Sequence, residues 1–592
     1  MTDQPDAAAE APIAAWIARF EAALATGQAA ALRPLFRADS HWRDLVGLSW
    51  TIMTVSGRDR LAGALARYGA AAGARAFAID RDRCPPRVVE RAGVPVAEAI
   101  LRFETATGIG AGLVRLRLDE AESPDAAPAW TLLTTLEEIK GHEEATLRAQ
   151  ADDGALERQL HGPNWLDRRR AAAAYDGRDP AVLVVGAGHA GLTIAARLGQ
   201  LGVDTLVVDR QERLGDNWRR RYRGLKLHNQ VHSNHLPYMP FPPTWPLYLP
   251  KDKIANWLEI YAECMEIDAW MQTAFEGAEY DGGRWTARLR RADGTLRILH
   301  PRHIVMATSV SGAPNLPDIP TLDRFAGPVV HSSGFGDGAR WRDRDVLVFG
   351  TGTSAHDIAQ DLHGHGARVT MVQRSPTLVV NIEPSAQIYD GVYLGEGPSL
   401  DDRDLINASF PLPLTKASHR RITEQAIAHD RPLLDGLERA GFELDFGEDR
   451  TGWPLKYRQR GGGYYFNVGC SDLIADGRIG LVQYRDVAAF ESGGLRMAGG
   501  RFLPADLVVL ATGYKGPGYL VESLFGAEIA ARIGPVWGFD DAAQELRNMW
   551  VRTRQPGLWF TAGAFSQCRI YSKYLARQIK AVELGLIAGE VM

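Results

Sequence analysis

The sequence predicts an α/β protein in which two Rossmann-like dinucleotide-binding domains follow a smaller α+β unit. Two stretches carry this prediction, AVLVVGAGHAGLTIAARL and DVLVFGTGTSAHDIAQDL, each running from an apolar strand through a glycine-rich turn into a helix. Length agrees, because 592 residues exceed what one core organises when domains run to about 150 residues each. Ahead of the first glycine turn the texture differs, with helical spacing first and strand-like runs afterwards.

Composition narrows the function. Lys+Arg number 67 and Asp+Glu 72, a net charge of -5, with 23% charged and 45% hydrophobic residues. That balance excludes a disordered chain and a non-specific nucleic-acid binder. Cys84, Cys264, Cys470 and Cys568 are scattered and form no CxxC pair, which argues against a disulfide scaffold, a zinc ribbon and a dithiol redox centre, and no metal-site residues are expected. No run of about twenty apolar residues occurs, and the acidic start MTDQPDAAAEAP lacks the layout of a signal peptide. A cytoplasmic protein without membrane or nucleic-acid partners is expected.

Taken in order, residues 1–150 read as the α+β unit. Trp16, Phe20 and Leu24 share one helix face, Leu32 and Phe36 begin a second short helix, and Leu61 and Leu65 a third. The strands VAEAILRFETA, GLVRLRLDE and WTLLTTLEEI follow, with LFRADSHWRDL between helices and sheet. This order resembles the cone-shaped nuclear-transport-factor-like (SnoaL-like) fold. His41, Trp42, Arg43 and Asp44 would line a pocket in such a cone, but the unit is read as an interface or lid, and as the contact of a homodimer. A linker at 151–180 closes a helical connector that starts near 143.

Residues 181–335 form the first part of a flavin-nucleotide domain. Gly186 permits the tight turn, Gly188 lets backbone amides approach a pyrophosphate, and Gly191 lets helix and strand pack. Asp209 ends the next strand, where a carboxylate accepts ribose hydroxyls. Residues 336–500 repeat the device with Gly350, Gly352 and Ala355, but the second strand ends in Gln373, Arg374 and Ser375. A guanidinium there can take a 2′-phosphate. The first site therefore suits FAD and the second NADPH, with NADH still admissible. Residues 380–465 read as an irregular insertion holding the amphipathic run HRRITEQAIAHDRPLLDGLERAG. The flavin domain resumes over 501–592.

DRFAGPVVHSSGF, with Phe325, Gly327, His331 and Phe335, and DLVVLATGY, with Thr512 and Gly513, resemble the class B flavoprotein monooxygenases: the flavin-containing and the Baeyer–Villiger monooxygenases. The resemblance covers roughly 160–592, and the amino-terminal extension is similar to that of type II members. In the earlier strand-end, HIVMATS, Ser309 stands where glycine is usual. The resemblance implies an FAD- and NAD(P)H-dependent enzyme that forms a C4a-(hydro)peroxyflavin from O2 and transfers one oxygen atom to a small molecule. Ketones are the expected substrates, and amines or thioethers the alternative.

It also implies site residues. Asn229 would sit beside the flavin adduct, with His228, Gln230 and His232 as neighbours of similar reach. His331 is a candidate for catalysis or for orienting NADP. Trp218 and Arg219 would meet the flavin nucleotide, while most of the basic run Arg219, Arg220, Arg221, Arg223 and Lys226 reads as solvated. Trp218 and the segment Pro237–Pro242 offer an apolar wall. Gly563, Tyr571 and Ser572 would lie near the isoalloxazine. Gln567 and Cys568 read as packing. Arg569 and Arg340 are the arginines considered for holding a peroxide anion.

Overall fold

The computed structural model describes residues 6–119, 126–144, 161–394 and 399–589; the connector at 145–160 lies outside them. In the amino-terminal unit, helices Ala7–Ala25, Ala29–Leu32 and Arg58–Ala72 pack on one face of a seven-stranded sheet. Its strand order is Ile52–Ser56, Phe36–Leu45, Ala129–Ile139, Gly108–Arg117, Val94–Glu104 and Arg75–Ile79, with Arg87–Arg91 also paired to Val94–Glu104. Phe36 starts a strand and not a helix. Pro34 lies in the 3-10 turn Arg33–Leu35 that follows the four-residue helix, and its missing N–H stops the helix there. Trp16 stacks on Phe20 at 4.7 Å, and Phe36 and Phe77 meet Phe20 edge-on, forming the core under the helices.

The opposite face of that sheet is buried against the rest of the chain. Ile100, Leu113 and Leu133 share one continuous core with Val182 of the first nucleotide fold, Leu405 of the insertion and Leu575 near the carboxyl end. Polar ties cross the same seam: Arg83 meets Asp402 at 2.6 Å, Glu137 pairs with Lys573, and Ser56 donates to Gln544 at 2.7 Å.

The first nucleotide fold is a parallel sheet ordered Asp268–Trp270, Thr205–Val208, Val182–Val185, His303–Met306 and Leu558–Phe560. The second is a parallel sheet ordered Val329–His331, Leu507–Leu510, Asp345–Phe349, Arg368–Gln373 and Gly480–Gln483. This corrects two boundaries. The second fold already holds Val329–His331 and still holds Leu507–Leu510, so the strand of DLVVLATGY stays in it. The chain re-enters the first sheet at Leu558–Phe560.

The insertion is helical and not irregular. Asp390–Tyr393, Leu400–Ala408, Leu412–His429, Arg431–Arg439 and Gly452–Arg460 stand beside a parallel strand pair, Leu378–Asn381 with Tyr464–Asn467. Pro432 at the start of Arg431–Arg439 splits the amphipathic run into two helices. The last helix, Phe565–Glu583, packs against the first nucleotide helix, His189–Gln200.

Candidate active site

Both glycine loops open into one cavity of about 2260 Å³, well above the roughly 300–1,000 Å³ of a single-ligand pocket. In the first loop, Gly186 has φ +111, and a Cβ there would meet the Ala307 carbonyl oxygen at 2.6 Å. A Cβ on Gly191 would fall 1.8 Å from the Gly186 carbonyl oxygen, so helix and strand close only around glycine. The Asp209 carboxylate accepts the Ala187 and Gln211 amides, each at 2.8 Å, which fixes it at the cavity edge.

His189 stacks on Phe565 at 4.3 Å. Burial lowers its pKa, and its Nε2 faces the Gly563 carbonyl oxygen at 2.9 Å, so the neutral ring donates from Nε2 and leaves Nδ1 an acceptor. His189 Nδ1, Trp218 Nε1 and Thr308 Oγ1 are buried with no hydrogen-bond partner among the described residues, and all three residues line the cavity. Unsatisfied buried groups facing one chamber fit a polar ligand such as a dinucleotide flavin.

The second loop repeats the geometry. Gly350 has φ +117 with a Cβ position 2.3 Å from the Ala511 carbonyl oxygen, and Ala355 is fully buried. Gly352, Arg374, Ser375, Thr512 and Gly513 line the cavity. Arg374 is exposed and has no ion-pair partner among the described residues, as a phosphate ligand requires.

Several predicted residues are used elsewhere. Gln373 is fully buried and faces away: its amide donates to the Glu443 carbonyl at 2.9 Å and accepts the Glu443 N–H at 2.8 Å, tying the insertion to the sheet. Arg219 is bound to Asp216 at 2.8 Å and Glu259 at 3.2 Å, and it is Arg220 and Arg221 that line the cavity. Ser572 is fully buried and donates to the Arg569 carbonyl within its own helix. His331 does not line the cavity; one ring nitrogen meets the Gly513 carbonyl oxygen at 3.0 Å and the other accepts the Ser333 N–H at 3.1 Å. Both nitrogens are committed, so His331 bolts the edge strand to the Thr512–Gly513 turn, with its ring N–H donated to the Gly513 carbonyl.

Arg569 forks onto Asp404 at 2.6 and 2.7 Å and donates to the Ser233 and His235 carbonyls, leaving it outside the cavity wall. Arg340 lies in a 3-10 turn, also outside the wall. Of the predicted apolar wall only Trp218 reaches the cavity, while Phe241 stacks behind it on Trp245 at 5.2 Å. Gln567 is more than packing, because its Oε1 accepts the Ala564 N–H at 3.0 Å and caps the last helix.

Asn229, His228 and Tyr571 do line the cavity. Burial holds His228 at a pKa of about 4, so beside Asn229 it stays neutral and adds no cation. Tyr571 stacks on Trp550 at 4.5 Å, a residue that the sequence reading missed. The amino-terminal unit reaches the same chamber: Arg43, Thr51, Ile52 and Arg91 are part of its wall. Within that unit His41 binds Ser56 at 2.7 Å, and Asp44 is buried under Ser49 and Thr134; neither opens a separate pocket. No sequence signal pairs Arg43 with the distant Glu545, which it meets at 2.7 Å.

Comparison with known proteins agrees with this geometry. A family model described as pyridine nucleotide-disulphide oxidoreductase matches residues 183–389. The chain is 30% identical over 350 residues to a probable indole-3-pyruvate monooxygenase, YUCCA4 of Arabidopsis thaliana, covering 58% of this chain and 79% of that protein. It is 33% identical over 401 residues to indole-3-pyruvate monooxygenase YUCCA4 of Oryza sativa subsp. japonica, covering 63% and 85%. The solved structure of OTEMO in complex with FAD and NADP is similar in fold, at 16% identity and a TM-score of 0.51, over 69% of this chain and 86% of that one.

Proposed function

The chain belongs, through its carboxy-terminal portion, to the class B flavin-dependent monooxygenases, and from this premise we propose that it oxygenates ketones with NADPH and O2. It is a flavin-containing, NAD(P)H-dependent monooxygenase. For a ketone the balance is ketone plus O2, NADPH and a proton giving ester, NADP+ and water. When bound, FAD takes two electrons from the nicotinamide and activates oxygen for transfer.

The observation that carries the reading is that both glycine loops open into one chamber, so reductant and flavin would share a single space. Gly186, Gly188 and the start of His189–Gln200 would hold the FAD pyrophosphate, with Asp209 on its ribose. Gly350, Gly352 and Ser375 would hold the nicotinamide nucleotide, with Arg374 on the 2′-phosphate. Trp218, Trp550 and residues of the insertion line the chamber and would shield an activated oxygen atom from water until it meets substrate. Asn229 offers an amide that donates and accepts without titrating. A carbonyl substrate is also consistent with relatives named for a pyruvate, itself a 2-oxo acid.

Isotopically heavy oxygen gas tests this. With NADPH and a ketone, one labelled atom is expected in the ester and one in water. Recovery of all consumed oxygen as hydrogen peroxide overturns the reading.

A further inference from the structure

Arg43 is the point at which the amino-terminal unit touches the chamber. It is 7% exposed and lines the cavity. Its Nε and Nη2 fork onto the Glu545 carboxylate at 2.7 Å each, Nη1 donates to the Ala408 carbonyl at 2.5 Å, and Nη2 donates to the Tyr571 hydroxyl at 3.1 Å. One guanidinium thus joins the amino-terminal sheet, the insertion, the Glu545 hairpin and the last helix. Its charge is matched by Glu545, whose Oε1 also accepts the Thr54 hydroxyl at 2.7 Å. Four of the five N–H groups of an arginine are committed here, so Arg43 has little to offer a ligand directly.

Tyr571 is different. Its oxygen receives the Arg43 N–H, so its own O–H proton must point away from Arg43. Among the described residues no acceptor takes that proton, and the residue lines the cavity half-buried. Stacking on Trp550 at 4.5 Å and 20° fixes the ring plane, and the Arg43 contact fixes the oxygen. A pre-aimed O–H in a chamber walled by protein suits an oxygen acceptor with lone pairs in plane, which is a carbonyl. A thioether sulfur accepts such a bond poorly.

We propose that Tyr571 donates its hydroxyl proton as a hydrogen bond to the carbonyl oxygen of the substrate, and that Arg43, from the amino-terminal unit, is the positioning residue that aims it. This rests on the monooxygenase reading above. The amino-terminal unit is then part of the active site of its own chain. Polarising the carbonyl raises the reactivity of its carbon toward an oxygen nucleophile without moving the proton off Tyr571.

The test uses the full-length holoenzyme with cyclohexanone and acetophenone as ketone probes and methyl phenyl sulfide as the comparison. The readout is the ratio of kcat/KM for ketone to that for sulfide, with NADPH consumption partitioned between product and hydrogen peroxide. Y571F keeps the ring and its stacking, and the ratio is expected to fall on the order of 10²-fold, as when one aimed donor is removed. R43M/E545Q, which removes both charges together, is expected to lower the ratio in the same direction. Adding Y571F to it should lower the ratio no further than Y571F alone, because the two act through one hydroxyl. A Y571F ratio within twofold of wild type overturns the role of Tyr571, and additive losses overturn that of Arg43. Sulfoxide without ester from the wild type overturns the carbonyl assignment, and no oxygenated product from any probe overturns the monooxygenase reading itself.

Discussion

Single residues set which coenzyme fits and how much strain the site stores. Arg374 stands free at the cavity edge, whereas Gln373 beside it is spent on the Glu443 backbone. Arg374→Ala is therefore expected to raise KM for NADPH by about 10- to 100-fold, the range of a lost charge-assisted hydrogen bond, and to leave KM for NADH within a few-fold. Steady-state kinetics with both coenzymes decide it; equal effects would remove Arg374 from the 2′-phosphate. Ser309, where the sequence pattern calls for glycine, adopts φ +70 at the cavity wall. A side chain in the left-handed region costs about 1–2 kcal/mol, so Ser309→Gly should raise the urea midpoint, corresponding to a gain of about 1 kcal/mol in unfolding free energy. An unchanged or lower midpoint would mean that the Ser309 hydroxyl, which accepts the Ser311 N–H at 3.1 Å, offsets the strain.

At the scale of elements, the last helix is held at both ends by side chains. Gln567 caps its start, and Glu583 ends it against Arg302 and His303 of the strand His303–Met306 and its approach. A carboxylate at a helix C-terminus opposes the dipole, so the Arg302 guanidinium and the His303 ring N–H are what make it tolerable. Burial alone would raise the Glu583 pKa, but the hydrogen bonds and charges of Arg302 and His303 win and hold it at about 2. A depressed carboxyl contributes stability that is complete above its unfolded pKa, about 4.3, and lost as pH falls toward the folded value. Wild type should exceed Glu583→Gln in urea midpoint at pH 7, and the gap should shrink between about pH 4.3 and 2. A gap independent of pH would show that the pair is not the source.

At the scale of the whole molecule, the amino-terminal unit and the first nucleotide fold share one apolar core, with buried polar ties across it. Separate domains joined by a linker melt separately, whereas domains with a common core unfold together. Calorimetry should therefore find the amino-terminal unit and the first nucleotide fold in a single transition. A distinct early transition assigned to residues 1–144 by proteolysis would contradict this. The same continuity places Arg43, Thr51 and Arg91 on the cavity wall, and among the described residues no helix is long and apolar enough to cross a membrane.

The two glycine loops were legible because local chemistry specifies them. A turn at φ above +100 and a helix packed within van der Waals contact of a strand admit only glycine, so Gly186, Gly191 and Gly350 are marked by residue type and spacing alone. Asp209 and Arg374 were legible for the same reason, since each ends a strand whose register the apolar run fixes. Gln373, Arg219, Ser572, His331 and Arg569 were not, because their neighbours decide which way a polar group is spent. Those neighbours lie far along the chain: Glu443 for Gln373, Gly513 for His331, Asp404 for Arg569. The sheet that owns the strand Leu507–Leu510 was hidden likewise, since a parallel strand carries no sequence record of its partner.

By itself the sequence determined the chemistry on offer: two dinucleotide loops, no CxxC pair, and an arginine at the end of the second strand of the second loop. These depend on φ, charge and spacing within one strand–turn–helix unit. Only the tertiary structure decided that the amino-terminal sheet contributes to the chamber wall and that Arg43, Glu545, Trp550 and Tyr571 meet there. Burial of one shared core brings them together, and no local property of the chain encodes that meeting.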